Sequence, residues 1–197
     1  MIVDGRRSAK NWLPVSRDFG SPFLKFEVRP EGIVMPITIE QVQEFLYREA
    51  RYLDDKDWDK WLALYSPDVV FWMPSWDDND ELVTDPQKEI SLIYYGHKGG
   101  LEDRVFRIRT ERSSATSLPV PRTSHNISNV EILEQQGNSC QIRFNWFTLN
   151  FRYKIVDTYF GTSFYTLDLT SGQPIIRNKK IILKNDYIHH VIDIYHI

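Results

Sequence analysis

The sequence has little cysteine and no long apolar run. Its single cysteine, Cys140, cannot form an internal disulfide, which fits a reducing compartment. No stretch approaches the ~20 consecutive apolar residues that span a bilayer, and the N-terminal segment lacks the apolar core of a secretory signal. We therefore expect a soluble protein with a cytoplasmic location.

The sequence also lacks an excess of one charge. It contains 24 Lys and Arg against 27 Asp and Glu, and this net charge of −3 argues against nucleic acid or an anionic membrane as a partner. Aromatic residues make up 14% of the chain, which indicates either a deep aromatic core or a large partner surface. A length of 197 residues suits one domain that needs no disulfide staples.

Residues 1–36 are predicted to form an extended N-terminal arm, ahead of a single domain over residues 37–197. Prolines and glycines recur through this segment at spacings that prevent long helices. Such an arm either packs on its own domain or on another subunit, or it is a loose tail.

The next part of the chain has helical periodicity. A helix is predicted from Thr38, because Thr38 and Gln41 have capping-box spacing and apolar residues then recur every three or four positions. A second helix is predicted to carry Trp58, Trp61 and Tyr65 on one face and to end at Ser66 and Pro67. A strand ending at Pro74, an irregular polar segment over residues 75–98 and a third helix over residues 99–113 follow.

The last part of the chain has strand periodicity. Long alternating runs, joined by short turns, predict strands over residues 122–135, 139–153, 155–169 and 175–185, with a last strand over residues 187–197. Helices first and strands last indicate an α+β fold. We expect a strongly curved antiparallel sheet that wraps around the N-terminal helices as an open cone.

Four aspartates fall within six positions after the first helix: Asp54, Asp55, Asp57 and Asp59. Asp57 and Asp59 come at the start of the second helix, where a carboxylate can cap free N–H groups and is favoured by roughly 0.3–1 kcal/mol. The alternative is that one of the four is a desolvated acid inside the cone, with a shifted pKa suited to acid–base chemistry. We expect these four aspartates to lie at helix ends and to have no catalytic role.

The histidines and the cysteine do not form a recognisable metal site. His189 and His190 are adjacent on a predicted strand and would point to opposite faces, His97 lies in a turn, and His125 begins a strand. No spacing matches the two histidines and one carboxylate of a non-haem iron site, and one cysteine cannot supply a Rieske cluster. We therefore expect no metal, no cofactor and no catalytic residue in this chain.

An arginine-rich run lies between residues 104 and 122 and is mixed with acids. It can be a solvated helix face with internal ion pairs, a subunit contact or a site for a substrate carboxylate. For a subunit interface we single out residues in irregular or helix-end segments beside apolar neighbours: Trp76, Tyr94, Tyr95, Arg107 and Arg109.

Two stretches resemble the small (β) subunits of aromatic-ring-hydroxylating dioxygenases. They are FLYREARYLDDKDWDKWLALYSPDVVFWMPSWD, residues 45–77, and DPQKEISLIYYGHKGGLEDRVFRIRTERSSATSLPVPRTSHNISNVEIL, residues 85–133. The second stretch is similar to the benzoate, toluate, anthranilate and 2-halobenzoate branch in particular. The resemblance covers about residues 36–197.

The resemblance implies a cone-shaped fold like that of nuclear transport factor 2. It implies a hexamer of three large and three small subunits, with contacts among the small subunits, in which the large subunit carries a Rieske [2Fe–2S] cluster, a mononuclear Fe(II) and the substrate pocket. A separate reductase would supply electrons, and this chain would be a structural part of an oxygenase that cis-dihydroxylates a benzoate-like acid. The alternative is a stand-alone cone enzyme, an isomerase or dehydratase with an interior Asp or His.

Overall fold

The structure, a computed structural model, describes residues 36–110 and 119–197, which belong to one compact unit. Apart from Pro36, the predicted arm lies outside the described residues, as does the part of the arginine-rich run from residue 111 to residue 118. Within the described ranges, no helix is long and apolar enough to cross a membrane.

The first helix, α1, spans Ile39–Asp54 and begins where the sequence predicts. The Thr38 side chain accepts a hydrogen bond from the Gln41 backbone N–H, and the Gln41 side chain accepts one from the Thr38 backbone N–H. This pair completes a capping box. The buried stripe of the helix contains one charged residue among apolar ones: Val42, Phe45, Leu46, Glu49 and Leu53.

The second helix, α2, is shorter than predicted. It spans Trp58–Ala63, so Tyr65 begins a strand instead of ending a helix. The Ser66–Pro67 pair lies inside that strand, where the register shifts between Tyr65 and Val70. The prediction that Ser66 and Pro67 end the helix is therefore wrong, because these two residues interrupt the pairing of a strand instead.

Six strands form one sheet: β1 (Tyr65–Pro74), β2 (Ser91–Tyr95), β3 (Arg122–Gln136), β4 (Ser139–Arg152), β5 (Ile155–Asp168) and β6 (Ile175–Leu183). Their order is β2-β1-β6-β5-β4-β3. Neighbouring strands are antiparallel except β1 and β6, which run parallel. A third helix, α3 (Lys98–Arg109), follows β2, and a short 3-10 helix (Ile194–His196) lies at the C-terminal end.

The sheet curls around α1. The side chain of Glu49 contacts Tyr65 on β1, while Asp54 at the end of the same helix contacts His125 on β3, the strand at the far edge. One helix can reach both halves of a six-stranded sheet only where the sheet is strongly curved. A bulge in β3 at Asn129, with φ of 51°, contributes to the bend. The curved α+β architecture predicted from the sequence is therefore confirmed.

Alternate residues of β4 face opposite sides of the sheet. The inward residues Cys140, Ile142, Phe144 and Trp146 are buried. Burial raises the pKa of the Cys140 thiol to about 11, as suits the inert core thiol expected at this position.

Two further segments differ from the prediction. Residues 75–98, predicted to be irregular, contain β2, in which only one residue is fully buried, so its sequence shows no clear alternation. Residues 187–193 form no strand, and the predicted opposition of His189 and His190 across a strand is wrong. At the end of this segment, Asp193 caps the short 3-10 helix through hydrogen bonds. The alternation of apolar and polar residues that predicted a strand does not reveal these bonds.

Candidate functional site

The space between α1 and the curved sheet holds a buried polar network. Glu49 Oε1 accepts hydrogen bonds from Lys179 Nζ on β6 at 2.9 Å and from the Tyr65 hydroxyl on β1 at 2.6 Å. Glu49 Oε2 accepts one from the Tyr165 hydroxyl on β5 at 3.0 Å. None of these four residues, which we call the interior network, is more than 3% exposed.

Burial governs the ionisation of the interior network. It lowers the pKa of Lys179, and the Glu49 carboxylate opposes that effect. Burial and the negative charge of Glu49 raise the pKa of Tyr65 and of Tyr165 well above the usual value, so both hydroxyls stay protonated and donate. The Lys179 ammonium lies 5.2 Å from the ring centroid of Phe71 and 5.1 Å from that of Tyr165.

The interior network lies inside the cone, where the alternative hypothesis of a stand-alone enzyme predicts an acid–base site. Its polar groups are shielded from solvent and bonded to one another. Two surface grooves lie elsewhere, one of about 360 Å³ along α1 and one of about 290 Å³ between α1 and β3, and neither is lined by a residue of the network. This arrangement suits a stable core better than proton exchange with a substrate.

The aspartates that follow α1 lie at helix ends, as predicted, but they do not cap α2 through their side chains. Asp57 is the N-cap residue of α2, yet its side chain makes no capping hydrogen bond and pairs with Lys60 at 2.5 Å. Asp59 lies in the first turn of α2 and pairs with Arg109 at 2.8 Å, while Asp55 is exposed. Side-chain capping is therefore wrong for Asp57, because the nearby ammonium group is its partner.

Asp54, the fourth aspartate, joins the end of α1 to β3. Its Oδ1 accepts a hydrogen bond from the Thr123 hydroxyl at 2.9 Å and lies 2.6 Å from His125 Nδ1. Its Oδ2 accepts one from the His125 backbone N–H at 3.0 Å. Burial would raise the pKa of Asp54, but the hydrogen bonds from His125 and Thr123 lower it overall. From the sequence, Asp54 was predicted at a helix end and His125 at the start of a strand, but the contact between them was not predicted.

A second, partly buried ion pair anchors the C-terminal segment. Asp193, 2% exposed, accepts a hydrogen bond from Arg104 Nε at 2.7 Å and also pairs with Arg104 Nη2. The Asp193 backbone N–H donates to His196 Nδ1 at 2.9 Å. Burial lowers the pKa of His196 to about 3, so the imidazole is neutral and this nitrogen can accept. One arginine of the arginine-rich run is thus a structural anchor.

The five residues singled out for an interface differ in their exposure. Trp76 is 44% exposed, although its indole N–H donates to a backbone carbonyl at the end of β6 at 2.8 Å. Tyr94 and Tyr95 are partly buried, and Tyr95 packs against the core. Arg107 and Arg109 are exposed on α3. Tyr95 therefore contributes packing within the fold, while the side chains of Trp76, Arg107 and Arg109 are accessible.

The outer side of β4 and β5 exposes an apolar surface that the sequence analysis did not single out. Phe147 lies opposite Phe160, and Phe151 lies opposite Val156. A contiguous exposed apolar surface of this kind usually marks a contact with a partner. We define the β4–β5 face by six residues of the two strands and the turn between them, with exposed fractions between 36% and 59%: Phe147, Leu149, Phe151, Tyr153, Val156 and Phe160.

The interior network was not predicted from the sequence, although the sequence contains a signal for it. Glu49 lies one turn after Phe45 and one turn before Leu53 in the buried stripe of α1. Lys179 lies two residues before the buried Ile181, in phase with the inward side of β6. A charge at a core-facing position in each of two elements indicates a buried ion pair. No group of three or more His, Cys, Asp or Glu in the described ranges is placed to hold a metal ion.

Comparison with known proteins matches residues 48–190 to the family model described as "Ring hydroxylating beta subunit". The chain is 63% identical over 163 residues to the toluate 1,2-dioxygenase subunit beta of Pseudomonas putida. That alignment covers 83% of this chain and all of the relative.

Solved structures show the same likeness. The beta subunit of the benzoate 1,2-dioxygenase from Burkholderia mallei superposes with a TM-score of 0.71 at 55% identity, over 83% of this chain and 100% of the other. A candidate scytalone dehydratase from Novosphingobium aromaticivorans superposes with a TM-score of 0.56 at 14% identity, over 79% of this chain and 91% of the other. The second likeness concerns the fold alone, and it confirms the cone-shaped α+β architecture.

Proposed function

We propose, because this chain belongs to the family of beta subunits of aromatic-ring-hydroxylating dioxygenases, that it is the structural small subunit of an oxygenase acting on a benzoate-like acid. The observation that carries the proposal is the 63% identity to the beta subunit of a toluate 1,2-dioxygenase over the full length of that relative. The solved relative at 55% identity belongs to a benzoate 1,2-dioxygenase. Toluate and benzoate are both aromatic carboxylates, which supports this substrate class.

The reaction of the complex would be cis-dihydroxylation of the aromatic ring, which consumes O2 and electrons delivered from NADH by a separate reductase. The large subunit would hold the Rieske cluster, the mononuclear iron and the substrate. A Rieske cluster requires two cysteines, and this chain has only Cys140, which is buried in the core. We place the complex in the cytoplasm, in keeping with that single reduced cysteine.

The interior network supports a structural role for this subunit. A stand-alone isomerase or dehydratase would need a carboxylate that a substrate can reach. Glu49 is instead 3% exposed and already accepts hydrogen bonds from three side chains. The family match also favours the subunit role over the stand-alone enzyme.

We propose that the complex contains three large and three small subunits. The β4–β5 face is apolar and exposed, as suits a permanent contact, and we assign it to the large subunit because family membership implies that partner. Further candidates for contacts within the hexamer are the accessible side chains Trp76, Arg107 and Arg109 and the partly buried Tyr94 and Tyr95.

Co-purification tests this assignment. A tagged chain is co-expressed with the large subunit encoded beside it, either unchanged or as the double variant Phe147→Ser/Phe160→Ser. Ile90→Ser is the matched control, because Ile90 is 80% exposed and lies outside the β4–β5 face. We expect the unchanged chain and the control to retain the large subunit and the double variant to lose most of it. Undiminished retention by a double variant whose circular dichroism is unchanged would contradict the assignment.

Oxygen consumption tests the activity. The complex of both subunits, supplied with its reductase and NADH, should consume O2 when benzoate is added, and this chain alone should not. Turnover of an isomerase or dehydratase substrate by the purified chain would instead favour the stand-alone enzyme.

A further inference from the structure

A row of buried polar atoms without hydrogen-bond partners lies on the inner side of β3 and β4. Seven buried side-chain nitrogen or oxygen atoms of the described residues have no partner, and four of them fall in this row. So strong a clustering indicates one common cause. We define the β3–β4 polar row by these four atoms: His125 Nε2, Trp146 Nε1, Thr148 Oγ1 and Asn150 Oδ1.

The strand register brings the four side chains together. His125 on β3 lies directly opposite Thr148 on β4, and Trp146 and Asn150 flank Thr148 on the same side of the strand. Directly opposite side chains on neighbouring strands have Cβ atoms about 4.5–5.5 Å apart. Thr148 is 0% exposed, and no side chain of the row is more than 7% exposed. A small molecule in this place could therefore contact several of these atoms at once.

The donors and acceptors of the row identify the kind of molecule that it suits. His125 Nδ1 lies 2.6 Å from Asp54 Oδ1 and bonds to it, so Nε2 is the ring nitrogen left to bond with another group. Asn150 Oδ1 is an acceptor, Trp146 Nε1–H is a donor, and the Thr148 hydroxyl can do either. An anion would meet the carbonyl oxygen of Asn150, and a cation would meet the indole N–H of Trp146. A neutral molecule that both donates and accepts, such as water, fits the whole set.

A surface groove reaches His125, at one end of this row. The groove of about 290 Å³ between α1 and β3 is lined by Asp54 and His125, among others. The Asp54 side chain is 26% exposed while that of His125 is 7% exposed. Four buried polar atoms without hydrogen bonds would destabilise the folded state by a free energy comparable to the whole net stability of a small domain. Buried waters satisfy groups of this kind in globular proteins when two to four polar partners are close by.

We propose that the β3–β4 polar row binds ordered water, roughly one or two molecules by its number of polar partners, as an internal hydration site. The site is separate from the interior network, whose polar atoms bond to one another. It is also independent of the assembly proposed above, because all four side chains face the inside of the sheet. Asp54 positions His125 so that Nε2 is available to the water.

A crystal structure of the full chain at a resolution that shows individual waters tests the site directly. We expect a water about 2.7–3.2 Å from His125 Nε2 or Thr148 Oγ1, and within the same distance of at least one further atom of the row. Three results would overturn the proposal: a dry row, direct hydrogen bonds between the four side chains, or an organic molecule bound in place of water.

The variant Thr148→Val, which removes the hydroxyl with little change of shape, tests the site in solution. If the hydroxyl binds water, the melting temperature should fall by about 2–6 °C. Thr162→Val is the matched control, because Thr162 is 3% exposed and its hydroxyl donates to Asn145 Oδ1 at 3.0 Å. A fall for both variants supports the hydration site. A melting temperature that is unchanged or higher for Thr148→Val, with a fall for Thr162→Val, would overturn it.

Discussion

The ion pair between Glu49 and Lys179 offers the sharpest energetic test of the fold. In the variant Lys179→Met the side chain keeps a similar length and loses its charge, which leaves the buried Glu49 carboxyl group with two tyrosine donors and without its cation. Removing one partner of a buried ion pair costs about 3–5 kcal/mol. A domain of this size loses about 2–4 °C of melting temperature per kcal/mol, so we expect a fall of roughly 6–20 °C.

The double variant Glu49→Gln/Lys179→Met should recover most of that loss. The glutamine is neutral, and its carbonyl oxygen can still accept from the Tyr65 hydroxyl, so no uncompensated charge stays in the core. Replacing a whole buried pair by neutral groups is often nearly neutral in stability.

Thermal and urea unfolding, followed by circular dichroism, measure both effects. Lys88→Met is the control, because Lys88 pairs with Asp85 at the surface with 82% of its side chain exposed, and such pairs contribute at most about 1 kcal/mol. A Lys179→Met variant that melts within about 2 °C of the unchanged protein, or a double variant no more stable than the single one, would refute the reasoning.

Three further predictions concern the pH dependence, the thiol and a turn. His196 has a pKa of about 3 when folded and about 6.5 when unfolded, so the unfolded chain takes up the proton first and stability should fall below about pH 6.5 by up to about 1.4 kcal/mol per pH unit. His196→Gln should reduce this slope in urea unfolding between about pH 6.5 and 4, and an unchanged slope would contradict the assignment. Cys140 is 0% exposed with a pKa raised to about 11, so a thiol reagent at neutral pH should react with it only after unfolding. Lys154→Gly should raise the free energy of unfolding by about 0.5–1 kcal/mol, because φ is 65° at Lys154, and a loss in urea unfolding would contradict this.

The sequence was sufficient for the parts of the fold whose burial alternates clearly. The predicted strands over residues 122–135 and 139–153 match β3 and β4 to within one residue, and in β4 polar outward residues alternate with apolar inward ones from Ser139 to Trp146. The strand β2 could not be predicted in the same way, because it is short and mostly unburied. The parallel pairing of β1 with β6 also depends on contacts far apart in sequence.

The candidate site was harder to predict because each of its bonds joins distant positions. Glu49 and Lys179 are 130 residues apart, and each alone looks like one misplaced charge in an apolar pattern. Asp54 was correctly placed at a helix end, but its partner His125 lies 71 residues away on another element. Periodicity identifies which face a residue occupies and does not identify what it meets there.

Native mass spectrometry, with the chain alone and with the large subunit encoded beside it, tests the central claim most directly. We expect a hexamer with equal numbers of the two chains, coloured by an iron–sulfur cluster only when both chains are present. A colourless species of this chain alone that does not bind the large subunit would contradict the account.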